Sequence, residues 1–306
     1  VMAVERHQIA VYLGPIAAGV LVGWAAPGAG PGLEHVINPV LGALLYVTFL
    51  QVPARDLLRS LRDGRFLAAA LTVNFVVVPL VVAAMFLFLP ADQAVRLGVL
   101  LVLLTPCVDY VIVFSGLAGG SSRRLLAATP LLLLVQMALL PLFLLLFLGN
   151  GLVDTVEAGP FLRAFLFLIV IPLGLAWLTQ ARTARAAGTL GTAMVPLMAA
   201  TLFVVVASQV PKLTGDVTKV LGVVPFYVVF LVVMAFVGRA VARSFRLDTA
   251  ASRAVVFTGA TRNSLVVLPL ALALPQQVTA AVVVTQTLVE VLGMVAYVRL
   301  VPRLIR

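Results

Sequence analysis

A single cysteine, Cys107, lies where an apolar run is broken by Thr105-Pro106-Cys107-Val108-Asp109, and a later run is broken by Thr261-Arg262-Asn263-Ser264. A lone cysteine in a membrane helix is usually a small apolar filler. At an unwound point, beside the positive end of the half-helix that follows, its thiolate is favoured and its sulfur suits a soft ligand. Thr105, Thr261, Asn263 and Ser264 carry the hydroxyls and amide that would bond a small polar substrate. Three charges, Asp109, Arg262 and Glu290, sit deep in apolar runs, where an ionised side chain costs at least about 2.5–3.5 kcal/mol. Asp109 and Arg262 read either as a buried pair that fixes a helix crossing or as a coupling pair. Glu290 reads as a carboxyl that exchanges a proton when a cavity wets it, or as a protonated carboxyl making one interhelical hydrogen bond.

The elements that must hold these residues are membrane spans. Hydrophobic residues are 63% of the chain and charged ones 10%, against about 45–50% and 25% in soluble domains. Ten runs are long enough to cross a bilayer, near 8–26, 35–53, 65–89, 93–118, 122–148, 160–180, 188–209, 217–241, 250–274 and 277–299. Strand alternation is missing, so the expected class is all-α. The first run has a proline within it and a counterpart near Pro172, so it is read as a span rather than a secretory signal. Short connections leave no room for a soluble catalytic domain, and no glycine-rich phosphate loop points to ATP.

The chain repeats itself. Gln51-Val52-Pro53 recurs as Gln209-Val210-Pro211, and Pro15 and Pro39 recur as Pro172 and Pro196, about 157 residues on. Sliding Cys107 onto Thr261 also lays Gln136 on Glu290. The expected organisation is a five-helix repeat over residues 1–150 and a second, inverted one over 151–306, with the fourth and ninth helices discontinuous. Paired interrupted spans in matching positions of two halves point to the binding site of a secondary transporter.

The formal net charge is +10, and its placement argues against nucleic acid. Arginines cluster in the connections near 55–65, 123–124, 182–185 and 239–253 and after the last span, all on one predicted side. The positive-inside rule then predicts a multi-pass cell-membrane protein with both termini cytoplasmic and anionic headgroups as partners. Trp24 and Trp177 fit interfacial anchoring. His7 and His35 lie at span edges, so neither a metal nor a cofactor is expected.

Cys107 with Val111, Val113, Phe114 and Leu117-Ala118-Gly119-Gly120, then Thr261-Arg262-Asn263-Ser264 and Leu288-Val289-Glu290-Val291, resembles the arsenite efflux permeases of the bile acid/sodium symporter superfamily. The resemblance implies export of trivalent arsenic or antimony in exchange for protons, with Cys107 inheriting the sulfur ligand. Asp109 or Glu290 would then carry the proton. The chain departs from that pattern at Pro106 and in the ninth span, where Arg262 precedes Asn263 and Leu265 stands where an acid would fall. That missing acid also weakens a sodium-coupled reading, and Arg262 would replace a bound cation by a fixed charge. A rival reading is an ion-coupled carrier of an organic anion with Arg262 as counter-charge. An intramembrane enzyme is the remote alternative, since one cysteine and two peripheral histidines supply neither a nucleophile with its base nor a metal set.

Overall fold

The computed structural model describes residues 2–50, 63–108, 110–149, 163, 166–182, 193–211, 217–272, 274 and 277–306. It is all-helical, and among the described residues the sole extended pairing is an isolated antiparallel bridge between Pro106 and Arg262. The helices are α1 (Met2–Ala25), α2 (Gly30–Leu50), α3 (Gly64–Phe86), α4 (Gln93–Leu103), α5 (Tyr110–Leu117) and α6 (Ser122–Leu148). They continue as α7 (Ile171–Arg182), α8 (Met194–Gln209), α9 (Val217–Ser244), α10 (Thr249–Ala260), α11 (Ser264–Leu272) and α12 (Gln277–Leu304). Each predicted run contains helix. Five of these helices are long and apolar enough to cross a membrane: α2, α3, the Leu131–Leu148 part of α6, α9 and α12.

Three aspartates set where helices start. Asp63 accepts from Phe66 N–H before α3, Asp92 accepts from Ala94 N–H at 3.0 Å and Val95 N–H at 3.3 Å before α4, and Asp248 accepts from Ala251 N–H at 2.8 Å before α10. Each satisfies backbone donors that the first helical turn leaves without partners. In α3 the ladder widens to a π-helical turn at Val73–Val77, which carries the buried amide Asn74.

The helices pack as two groups. In one, α8 lies against both α1 and α2, and α2 lies against α7. Glycine makes the first contact close: a Cβ on Gly19 would stand 2.9 Å from the Phe203 carbonyl oxygen, and one on Gly23 2.8 Å from that of Ala207. Small residues four apart let helix backbones approach where lipid supplies no hydrophobic drive between them. The second group contains α3, α4, α6, α9, α10 and α12, with α9 on α10, α12 on α9 and α4 on α12.

Charges gather the connections at two ends. Arg124 bridges Asp63 at 2.7 Å and Asp248 at 2.5 Å, and Arg253 donates to the carbonyls of Ala118 and Ile305. The loops before α3, between α5 and α6 and before α10 therefore share one arginine-rich end with the end of α12. At the opposite end Lys219 pairs with Asp92 at 3.0 Å. Gln51-Val52-Pro53 lies outside the described residues, whereas Gln209 closes α8 and is buried.

Candidate functional site

Pro106 has no backbone N–H to donate, and its ring opposes continuation of the helix before it. Accordingly α4 stops at Leu103 and helix resumes at Tyr110. The ninth predicted span breaks without proline, at Thr261 to Asn263 between α10 and α11. The backbone groups freed at one break are satisfied by the other. Cys107 N–H donates to the Thr261 carbonyl at 3.2 Å, and Asn263 N–H donates to the Thr105 carbonyl at 2.8 Å. Two half-helix pairs thus cross as a two-bond β-bridge at Pro106 and Arg262. Irregular backbone at this depth is tolerated only when buried and paired in this manner.

The crossing relates Thr105, Pro106 and Cys107 to Thr261, Arg262 and Asn263. Thr105 and Thr261 bond alike: Thr105 Oγ1 donates to the Leu101 carbonyl at 2.7 Å, and Thr261 Oγ1 to the Phe257 carbonyl at 2.8 Å. Both threonine hydroxyl protons are consequently spent on closing the half-helices that precede them.

Asn263 performs the matching task for the helix that follows. Its Oδ1 accepts from Val266 N–H at 3.1 Å, while its Nδ2 is buried without a hydrogen-bond partner among the described residues. Ser264 and Thr287 share a hydroxyl hydrogen bond at 2.6 Å, tying α11 to α12. Cys107 is 1% exposed and packs in the main core, at the centre of the crossing. Asp109 lies outside the described residues.

Arg262 is fully buried, and its guanidinium is caged by oxygen. Nη2 donates to Asn74 Oδ1 at 2.8 Å and to the carbonyls of Thr258 at 2.6 Å and Gly259 at 2.8 Å. Nη1 donates to the Leu103 carbonyl at 3.3 Å, and the ring of Phe230 lies 5.7 Å from the guanidinium carbon. The carbonyls of Leu103, Thr258 and Gly259 come from the ends of α4 and α10, where helix C-termini favour positive charge. Asn74 is held in turn by donating to the Ala70 carbonyl at 2.9 Å and to Thr258 Oγ1 at 3.2 Å. A set of carbonyl and amide oxygens is the donor type a hard monovalent cation would use. Here that place is filled by a side chain of the protein, so the residues present do not fit a bound cation at this point.

Glu290 is also fully buried and takes its hydrogen bonds from neutral groups. Its carboxylate accepts from Arg262 backbone N–H at 2.8 Å, from the Tyr110 hydroxyl and from Gln286 Nε2 one turn earlier on α12. The Tyr110 hydroxyl also lies 3.1 Å from the Arg262 carbonyl. Tyr110, Asn74 and Gln286 are site residues that sequence reasoning missed. Asn74 and Gln286 were marked only by being amides in apolar runs, Gln286 additionally by its four-residue spacing from Glu290. Nothing in the sequence distinguishes Tyr110 from other span tyrosines. Among the described residues no group of three or more His, Cys, Asp or Glu comes together to hold a metal.

Buried helices broken and re-paired at a polar centre, with five helices long and apolar enough to cross a membrane around them, mark a multi-pass membrane protein. Residues 38–215 match the Sodium Bile acid symporter family, and the chain belongs to that family. No curated protein matches the chain.

Proposed function

We propose that this chain is a proton-coupled efflux carrier for a small neutral oxyacid, arsenous acid first and its antimony counterpart second. The observation that carries the reading is the crossing itself, where one core holds a thiol, a carboxyl bonded by neutral donors and a fixed guanidinium. In this reading two inverted five-helix repeats place both broken spans at mid-membrane. The fixed charge of Arg262 does the electrostatic work that a bound cation would otherwise do at the ends of α4 and α10. Sodium is then not needed there, and coupling falls to a titrating carboxyl. Glu290 is the group described for that task, with Asp109 as the second candidate.

Cys107 Sγ would be the soft ligand, and Asn263 Nδ2, buried with its hydrogen-bonding capacity unused, would donate to a substrate oxygen. A single thiol gives weak binding, which suits a carrier that must release its load. The reciprocal backbone bonds hold the crossing as one body, and in this reading the moving surface lies between it and the group α1, α2, α7 and α8. Direct binding of an organic anion by Arg262 would have to displace the three acceptors of Nη2 or use Nε, which is buried with no hydrogen-bond partner among the described residues.

The test is uptake of arsenite into everted vesicles carrying verified protein. The expected result is uptake driven by an inwardly acid pH gradient, indifferent to a sodium gradient and lost in Cys107→Ala. Absence of arsenite flux in the parent sinks the substrate assignment. Flux that requires a sodium gradient sinks the coupling assignment.

A further inference from the structure

At the arginine-rich end, α9 and α12 enclose a cavity of about 460 Å³. Its charged lining is Arg239, Arg243, Arg303 and Arg306, with the hydroxyls of Thr249 and Ser252 beside them and no acidic residue among the described residues of its wall. Arg239 and Arg243 stand four apart on one helix, an arrangement in which like charges repel. The wall is built rather than incidental. Arg253 forks onto the Ile305 carbonyl through Nε at 3.1 Å and Nη2 at 2.9 Å, fixing the chain just past α12, between Arg303 in its last turn and Arg306 beyond its end. Thr249 Oγ1 donates to the Arg306 carbonyl at 3.3 Å, closing the same corner.

A second cavity, about 800 Å³ and apolar, continues from the first and shares Arg303 and Leu304 with it. It is a groove between α9 and α12, walled by Val228, Val232 and Phe236 on one side and Leu292, Ala296 and Leu300 on the other. Phe236 is 59%, Leu292 61% and Leu300 55% exposed, so the groove opens to the bilayer. It runs along α9 from Val224 to Phe236, about 18 Å at ~1.5 Å per residue. One leaflet of a bilayer whose core is about 30 Å thick has nearly that depth. Arg239 stands just under one turn beyond Phe236, at the level where a headgroup would lie.

We propose that these two cavities are one binding site for an anionic phospholipid, with the phosphate on the four arginines and an acyl chain in the groove. A guanidinium cluster supplies the planar, paired donors that phosphate oxygens take. The groove selects an amphiphile over a free anion. Its position against α12, the helix that carries Glu290 and Gln286, places bound lipid on the outer face of the element that supports the crossing. The site does not depend on which substrate is carried.

The full chain in nonionic detergent is titrated with short-chain phosphatidylglycerol, with phosphatidylcholine of the same chain length and with inorganic phosphate, following thermal unfolding. Phosphatidylglycerol is expected to raise the midpoint saturably and the other two not to. Arg303→Gln should weaken the phosphatidylglycerol midpoint by about fivefold, the effect of one arginine at a charged headgroup. Ala296→Phe, which fills the groove, should abolish the response; Val232→Trp on the facing helix repeats the test independently. Equal stabilisation by phosphatidylcholine, reproduction of the effect by phosphate alone, or a full response in the folded groove-filling variants each overturns the proposal. The parent's lipid selectivity decides the matter even where a variant does not fold.

Discussion

Asn263 N–H reaches the Thr105 carbonyl at 2.8 Å, joining two breaks that stand in different halves of the chain. With the reciprocal bond from Cys107 N–H to Thr261, this makes each broken helix the cap of the other. The crossing is therefore a cooperative unit: opening either break exposes backbone groups of both in a medium that offers no water to replace them.

Arg262→Ala should abolish transport and lower the unfolding midpoint in detergent. It leaves Asn74 Oδ1 and the carbonyls of Leu103, Thr258 and Gly259 without their donor, and a buried unsatisfied polar group costs about 1–3 kcal/mol. If the guanidinium acts as a fixed cation, free guanidinium ion at millimolar concentration should restore part of both signals. Failure of any cation to rescue a folded Arg262→Ala would show that the side chain acts only as a covalent strut. Arg262→Lys should rescue partially at best, since an ammonium lacks the planar fork.

Glu290→Gln keeps the shape of the side chain and one oxygen to accept from Arg262 N–H and Gln286 Nε2, and removes its proton chemistry. Its new amide N–H can donate to the Tyr110 hydroxyl, which still has the Arg262 carbonyl as acceptor. Transport driven by a pH gradient should fall by at least about a hundredfold, at the lower end of what a positioned proton-transfer group contributes, with the folded fraction little changed. Tyr110→Phe deletes one of the donors to the carboxylate and should shift the pH profile of flux rather than abolish it. An unaltered pH profile in both variants would move the coupling role to Asp109.

How much of this was legible in the sequence depends on distance along the chain. The break at Pro106 was readable because proline has a local, fixed effect, and the break at 261–263 because a polar run in hydrocarbon demands an explanation. Cys107, Arg262 and Glu290 were singled out by type and depth alone. The cage around Arg262 was not readable: Asn74 reaches it from a π-helical turn in α3, a contact that packing rather than periodicity decides. The donors to Glu290 were hidden similarly, because Tyr110 approaches from the other broken helix. The polar groups at the break pointed to a small polar substrate, and two of them, the hydroxyls of Thr105 and Thr261, close helix ends by donating to carbonyls four residues back.

Gly23→Val tests the close approach of α1 to α8. A Cβ there would lie 2.8 Å from the Ala207 carbonyl oxygen and 2.9 Å from Val210 Cβ, both part of helix backbone or its stiff side chains. Overpacking of this kind costs about 1–3 kcal/mol, so the variant should lose monodispersity or several degrees of midpoint. Gly14→Val on the same helix, where a Cβ meets nothing within 4 Å, should be neutral in the same assay. Equal behaviour of the two would show that the α1–α8 contact does not limit stability.

Asp248 governs the response of the arginine-rich end to acid. Its carboxyl is held below the ordinary value of 3.8, first by the backbone N–H of Ala251 and then by Arg124. A carboxyl depressed on folding contributes stability that is fully present above about pH 4, its unfolded range, and that disappears as pH falls through the lower folded value. Arg124 is 35% and Asp248 56% exposed, so solvent screens the pair and the cap supplies most of the effect. Asp248→Asn retains an oxygen for Ala251 N–H and should lose little at pH 7, whereas Asp248→Ala should cost about 1 kcal/mol. Midpoints measured from pH 7 down to pH 3 should converge for parent and Asp248→Asn as the parent's carboxyl protonates. A difference that instead widens toward acid would place the stabilising group elsewhere in the cluster, with Asp63 the next carboxylate on Arg124.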